Sequence, residues 1–174
     1  MRLPPLPADQ WDDEVQRSLA GILARERQNP EEAGNVLATL VRHPALAKAF
    51  FGLGVHLLFR STLPPRVREL TIMRVAHRRG CTYEWNHHLE FAAQAGLTED
   101  DIASIQRGTA PDEFDNLVLS AADELDDKSN LSDQTWAALG ERLNERQCMD
   151  LVFTVGCYCM LAMAFNTFGV EVEH

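Results

Sequence analysis

The chain has 174 residues, carries a formal net charge of −10, and is 45% hydrophobic and 24% charged. That length suits one domain able to bury its own core without disulfide staples. The excess of carboxylates is the wrong sign for a phosphate backbone or an anionic lipid surface, so neither nucleic acid nor membrane is expected as a partner.

The opening MRLPPLPADQW is a proline-rich arm without the apolar stretch of a signal peptide, so a cytoplasmic location and four reduced cysteines are expected. Asp9 is placed to cap a helix running to about Arg27, and Asn29-Pro30 breaks it. A helix from Glu32 to about Arg42 follows. Pro44 suits the first turn of the next, where Leu46, Phe50, Leu53 and Leu57 recur at helical spacing. Pro64-Pro65 stops that run and opens another from about Arg66 to Arg79, with Val67, Leu70, Met73 and Ala76 in a narrow apolar stripe. Gly80 ends it, and a helix from about Thr82 to Ala95 stops before Gly96.

Thr98 caps a short helix whose first turn holds Glu99, Asp100 and Asp101, carboxylates at the positive end of the dipole. Pro111 introduces one more helix, through about Asp126. Ser132 caps a helix to about Asn144, and the last runs from Glu145 to about Phe168, where Gly169 ends it. No β-hairpin signal is convincing. The expected fold is all-α with about eight helices, residues 1–35 forming an N-terminal extension with the first helix and residues 36–174 the main helical domain.

The last helix is apolar almost all round from Met149 to Phe165, Asp150 apart, and so needs cover on several faces. It reads as a central core helix, a face for a second subunit, or both. Its apolar run Leu151–Phe165 would span roughly 22 Å, short of a ~30 Å hydrocarbon core, which favours burial over membrane crossing.

CTYEWNHH, Cys81 to His88, holds a thiol, a carboxylate, two aromatics and two imidazoles. On a helix, steps of three and four place Cys81, Glu84 and His88 on one stripe, while His87 points about 100° away. Trp85 and Leu89 share another stripe, expected to pack inward. Zinc accepts such ligands, but one helix rarely supplies a tetrahedral set, and His43, His56 and His77 are scattered, so no metal is expected. A lone imidazole here is more often a hydrogen-bonded core histidine than a catalyst. The carboxylate and thiol on the same face make His88 a candidate site residue.

The stretch LPPRVRELTIMRVAHRRGCTYEWNHHLEFAAQAGL, Leu63 to Leu97, resembles the core of the carboxymuconolactone decarboxylase family, which includes the alkylhydroperoxidase D-like proteins. In the peroxidase branch a glutamate precedes a C-x-x-C pair by twelve residues and a histidine follows its first cysteine by seven. Here Glu69 to Cys81 is twelve and Cys81 to His88 is seven. The tail DLVFTVGCYCMLAMAFNTFGVEVE resembles the family's last helix, and the similarity covers roughly residues 38–110 and 145–173. The second cysteine of the pair, the one that attacks peroxide in that branch, is Glu84 in this chain. A carboxylate forms neither a sulfenic acid nor a disulfide. The resemblance therefore implies the scaffold without the redox pair. Cys157 and Cys159 lie on the apolar last helix, where free cysteine behaves as a small hydrophobe, and Cys148 reads the same way.

In the family's decarboxylase branch a small acidic lactone loses CO2 and a proton is relocated, without a cofactor. The resemblance thus implies a cofactor-free lyase or isomerase with His88, Glu84, Glu69 and Cys81 at its site, Glu69 orienting His88 or sharing its proton. It also implies a homo-oligomer, a trimer or hexamer. A thiol-dependent peroxidase using Cys81 and a non-catalytic binding or assembly protein remain the alternatives. Arg66, Arg68, Arg74, Arg78 and Arg79 lie close by as candidates for holding a substrate carboxylate, and the sequence does not choose among them.

Overall fold

Polar side chains start most of the helices, by accepting hydrogen bonds from backbone N–H groups that the first turn leaves without partners. Asp12 accepts from Glu14 and Val15 to open α1 (Asp13–Ser18), and Asn29 accepts from Glu32 to open α2 (Pro30–Leu40). His43 caps α3 (Pro44–Val55), which runs on into a π-helical turn, His56–Arg60. Next come α4 (Pro65–Arg78), α5 (Thr82–Gln94) and α6 (Glu99–Arg107), the last opened by a reciprocal box between Thr98 and Asp101. Asp112 caps α7 (Glu113–Lys128), Ser132 caps α8 (Asp133–Gly140), and α9 (Glu145–Phe168) closes the chain. This computed structural model describes residues 1–173, and among them there is no strand. The protein is all-α, with nine α-helices among the described residues where about eight were expected.

The backbone falls into two compact units, Ser61–Met163 and Met1–Arg60 together with the chain from Ala164. In the second of these the sequence reading needs correction. No helix runs from Asp9 to Arg27. Asp9 sits in a single 3-10 turn, Asp12 is the cap, and α1 ends at Ser18. The chain then turns so that Leu19, with Leu6, Val15, Val41, Ala47 and Phe51, closes one small core. The buried face of α3 is also rotated by one residue. Leu46 and Leu53 are exposed, and Ala47 and Phe51 are buried in their place, while Leu57, in the turn that follows, is buried as expected. Small Ala47 and aromatic Phe51, four residues apart, fit against that core.

In the unit Ser61–Met163, α4 is the central element, with α5, α6 and α7 packed on it. Its expected stripe of Val67, Leu70, Met73 and Ala76 is buried, but so are Glu69, Thr71, Ile72, Arg74 and Val75. The polar members of that set are paired. Arg74 donates through Nε and Nη2 to the Asp123 carboxylate (2.7 and 2.8 Å) and through Nη1 to the carbonyls of Ile105 and Gln106 (2.7 and 3.1 Å). One guanidinium thus ties α4 to α7 and satisfies carbonyls at the C-terminal end of α6.

α9 is longer than its apolar run. Its 24 residues make it, among the described residues, the one single helix long and apolar enough to cross a bilayer, and a bent pair of helices, α2 with the run from Pro44 to Arg60, passes the same test. Most of the α9 segment is nevertheless buried against protein. Cys148 and Leu151 join the main core, and Val155, Tyr158, Leu161 and Ala162 are buried as well. Trp85 packs on the same core as expected, whereas Leu89, expected to pack inward with it, is exposed.

Gly108 follows α6 with φ 79°, and a Cβ there would lie 2.4 Å from Nη2 of Arg74. Gly96 has the same φ and open space around it. Gly96→Ala should therefore cost only the left-handed backbone strain, about 1 kcal/mol. Gly108→Ala should cost clearly more, because it also displaces the Arg74 guanidinium. Urea denaturation of the two variants checks the order.

Candidate active site

Three helices bring the site together. α4 supplies Arg68 and Glu69, and its end at Gly80 turns the chain back so that α5 packs along it. α5 supplies Glu84 and His88, one turn apart on its buried face. α9 supplies Tyr158. Glu69 is fully buried and His88 is 1% exposed, so each polar atom needs a protein partner.

The partners form a chain. Arg68 Nε donates to Oε1 of Glu69 at 2.8 Å. The other oxygen, Oε2, lies 2.7 Å from Nδ1 of His88. On the far side of the ring, Nε2 is 3.3 Å from Oε2 of Glu84 and 3.2 Å from the Tyr158 hydroxyl. Phe91 and the edge of the Tyr158 ring pack on the imidazole, with centroids 5.3 and 5.2 Å away.

Burial works to strip the proton from His88, but the carboxylates of Glu69 and Glu84 outweigh it, and the pKa is raised above the ordinary 6.5. The thiols go the other way in reactivity. Burial pushes Cys81 up to about 11, against the pull of the backbone amides of Glu84 and Tyr83 and with the Glu84 charge adding to the rise. Cys157 is also pushed up to about 11, by burial and by Glu84. Burial does the same to Cys159, helped by its contact with Asp126. These are thiols rather than thiolates at neutral pH.

Of the residues singled out from sequence, Glu69, Glu84 and His88 meet. Cys81 is buried at the N-terminal end of α5 and borders a separate cleft of about 190 Å3, shared with His77, Thr82, Trp85 and Gln106. His87 makes no hydrogen bond within the chain Arg68–Glu69–His88, meeting the His88 ring only edge-on at 6.3 Å between centroids, and it stacks on Tyr83 at 5.6 Å. Among the described residues no group of three or more His, Cys, Asp and Glu side chains is arranged to hold a metal ion.

One member of the cluster, Tyr158, was not singled out, and Arg68 was named only as one of five arginines. Tyr158 could have been suspected as a hydroxyl-bearing aromatic within an apolar run. Arg68 emerges by comparison with its neighbours. Arg66 forks onto Asp101 and Asp115, Arg74 onto Asp123, and Arg78 and Arg79 onto Asp126. Only Arg68 of the five is joined to the imidazole cluster, through Glu69.

The family model for the carboxymuconolactone decarboxylase family matches residues 44–127, which include α4, α5 and every α4 and α5 member of the cluster. This segment belongs to the carboxymuconolactone decarboxylase family. Solved structures agree on the fold. An uncharacterized peroxidase-related protein from Silicibacter sp. TM1040 is 17% identical with a TM-score of 0.78, the match covering 99% of this chain and 93% of that one. A protein of unknown function from Agrobacterium tumefaciens, named for the antioxidant defence protein AhpD, is 15% identical with a TM-score of 0.65, covering 76% and 94%. The debrominase Bmp8 in complex with 2,3,4-tribromopyrrole is 16% identical with a TM-score of 0.67, covering 99% and 92%. No curated protein matches the sequence significantly.

Because the folded-state pKa of His88 is raised, the stability it contributes is fully present below about 6.5, its ordinary value, and is lost as pH rises through the folded-state value. His88→Gln should lack that loss. Unfolding free energies of the two proteins should therefore differ most at mildly acidic pH and converge as pH rises, as urea titrations from pH 5 upward would read.

Proposed function

We propose that this member of the carboxymuconolactone decarboxylase family is a cofactor-free acid–base enzyme acting on a small acidic carbonyl compound, a lactone or keto acid, and more specifically a carboxy-lyase. The observation that carries this reading is the imidazole of His88 held between two carboxylates with its Nε2 turned to Glu84 and Tyr158. A ring whose pKa is raised by two flanking carboxylates holds its proton more readily than a free imidazole, which suits it to the part of proton donor. Decarboxylation needs that step. The bond to the carboxylate breaks, CO2 leaves, the electron pair delocalises onto the neighbouring carbonyl, and the carbanion equivalent takes the proton from Nε2. Water then restores the imidazolium. An isomerase would first need a base at the same position, which the raised pKa disfavours.

Glu69 fixes the ring through Nδ1 and spreads the charge. Arg68, whose side chain is 15% exposed, is the cation nearest to hand for a substrate carboxylate. Cys81 lines the neighbouring cleft and takes no proton in this scheme. The peroxidase alternative loses support from the thiols, since a nucleophile pushed up to about 11 is almost wholly protonated at neutral pH. The non-catalytic alternative draws on the burial of His88, and activity measurements separate it from the leading one.

His88→Gln should lower kcat/KM on a small carboxylated lactone or β-keto acid by about 10²–10⁴-fold, the range of a lost general acid, while the helical circular dichroism is unchanged. Cys81→Ser should leave turnover near wild type. Hydroperoxide consumption with a thiol reductant, abolished by Cys81→Ser, would instead establish the peroxidase reading.

A homo-oligomer belongs to the same proposal. Met149, Phe153, Met160 and Met163 are 59%, 55%, 46% and 57% exposed along α9. With Gly156 they repeat at steps of four, three, four and three, the seam of a helix that packs on another helix. Between Gln147 and Phe168 the only charged residue is Asp150, which is buried against Ser61 and Thr62, so two copies of a −10 chain can meet here without opposing like charges. Met160→Glu should shift the mass measured by light scattering toward the monomer. A wild type that already runs as a monomer at micromolar concentration would refute the seam.

A further inference from the structure

The proposed chemistry uses the proton on Nε2 of His88 but leaves the Tyr158 hydroxyl without a task. That hydroxyl is buried, as is its ring, and it lies 3.2 Å from Nε2. Oε2 of Glu84 lies 3.3 Å from the same nitrogen. One ring nitrogen has one in-plane lobe, and two groups of opposite character compete for it. A carboxylate can only accept, so it is satisfied when the lobe carries a proton. A phenol can donate, so it is satisfied when the lobe is bare. Between them the two groups cover both protonation states of the ring.

A site that merely stored an imidazolium as a structural ion pair would gain nothing from the donor. A site that cycles its proton needs one, because the neutral ring would otherwise face a carboxylate with a bare lone pair against it. We propose that Tyr158 is a positioning residue that holds the neutral form of His88, donating its hydroxyl to Nε2 while Nδ1–H stays on Glu69. The inference rests on His88 being the proton carrier, and its test reads the ring directly, without substrate.

The groups facing the ring are few. α4 presents Glu69 with Arg68 behind it, α5 presents Glu84 and the neighbouring His87, and α9 presents Tyr158 with Cys157 beside it. Of these, Tyr158 is the one placed to donate to a bare Nε2. Replacing it with Phe keeps the ring that packs edge-on against His88 at 5.2 Å and removes only the donor.

The experiment is a 15N-detected histidine titration of the full chain by NMR. In the wild type the neutral ring of His88 should read as the Nδ1–H tautomer. In Tyr158→Phe the His88 midpoint should rise by about half to one pH unit, the worth of one hydrogen bond to the neutral form. A second arm uses the opposite perturbation. The chain has two tyrosines, so in a Tyr83→Phe background 3-fluorotyrosine labels position 158 alone. A more acidic phenol is a stronger donor, and the midpoint should fall. This arm keeps the side chain and stays informative if the Phe variant fails to fold. A midpoint unmoved by fluorination, or moved upward by it, overturns the proposal. Failure to turn over any lactone would leave these shifts in place and count only against the assigned reaction.

Discussion

Everything at the site depends on one contact, the 2.7 Å bond between Oε2 of Glu69 and Nδ1 of His88. Glu69 has no exposure at all, and a bare carboxylate in that position would be strongly penalised. The imidazolium resolves the problem, and in doing so fixes the relation of α5 to α4. The pairing extends outward in both directions. Arg68, Glu69, His88 and Glu84 alternate in sign and, with the ring protonated, sum to zero. Charge chains of this kind seldom stabilise more than well-packed hydrophobic side chains would, because desolvation offsets much of the attraction. In the proposed function their use lies beyond stability, in a proton held ready at a defined atom.

The residue at position 84 decides which chemistry the scaffold can support. With a cysteine there, the stripe Cys81–84–88 would offer two sulfurs and a histidine to activate one of them. With Glu84, the same stripe offers an imidazole flanked by acids, and the remaining thiol is buried and protonated. The carboxylate that removes the sulfur chemistry is also one of the two groups that raise the pKa of His88. In the proposed reading, the residue at 84 thus favours proton transfer over thiol chemistry.

Local signals in the sequence were enough for most of the fold. Thr98, Ser132 and the glycines at 80, 96 and 169 mark helix ends because capping is a property of a few adjacent residues. Glu69, Glu84 and His88 were legible for a similar reason, two of them lying one turn apart on one helix. What escaped was set by distant partners. The buried face of α3 follows from Val15 and Leu19, far back in the chain, and not from the spacing of Leu46 and Leu53. Arg68 differs from four neighbouring arginines only in what the other four bind, on α6 and α7. Tyr158 lies seventy residues from His88, and nothing in its own neighbourhood points to an imidazole.

α9 joins the two halves of the functional argument. Tyr158 is two residues from Gly156, about 200° round the helix, so the hydroxyl that meets His88 and the exposed row of Met149, Phe153, Met160 and Met163 lie on opposite faces of one rod. A helix is stiff along its axis, and its hydrogen-bonded backbone does not let one face move alone. A second copy on the outer row, as proposed, would therefore bear on the helix that places the phenol 3.2 Å from Nε2. A hydrogen bond weakens steeply when its atoms shift by a fraction of an ångström or its angle opens. If the proposed seam is occupied by a second copy, the seating of α9 bears on the proton of His88, and the proposed oligomer and the proposed acid–base site are then linked through one helix.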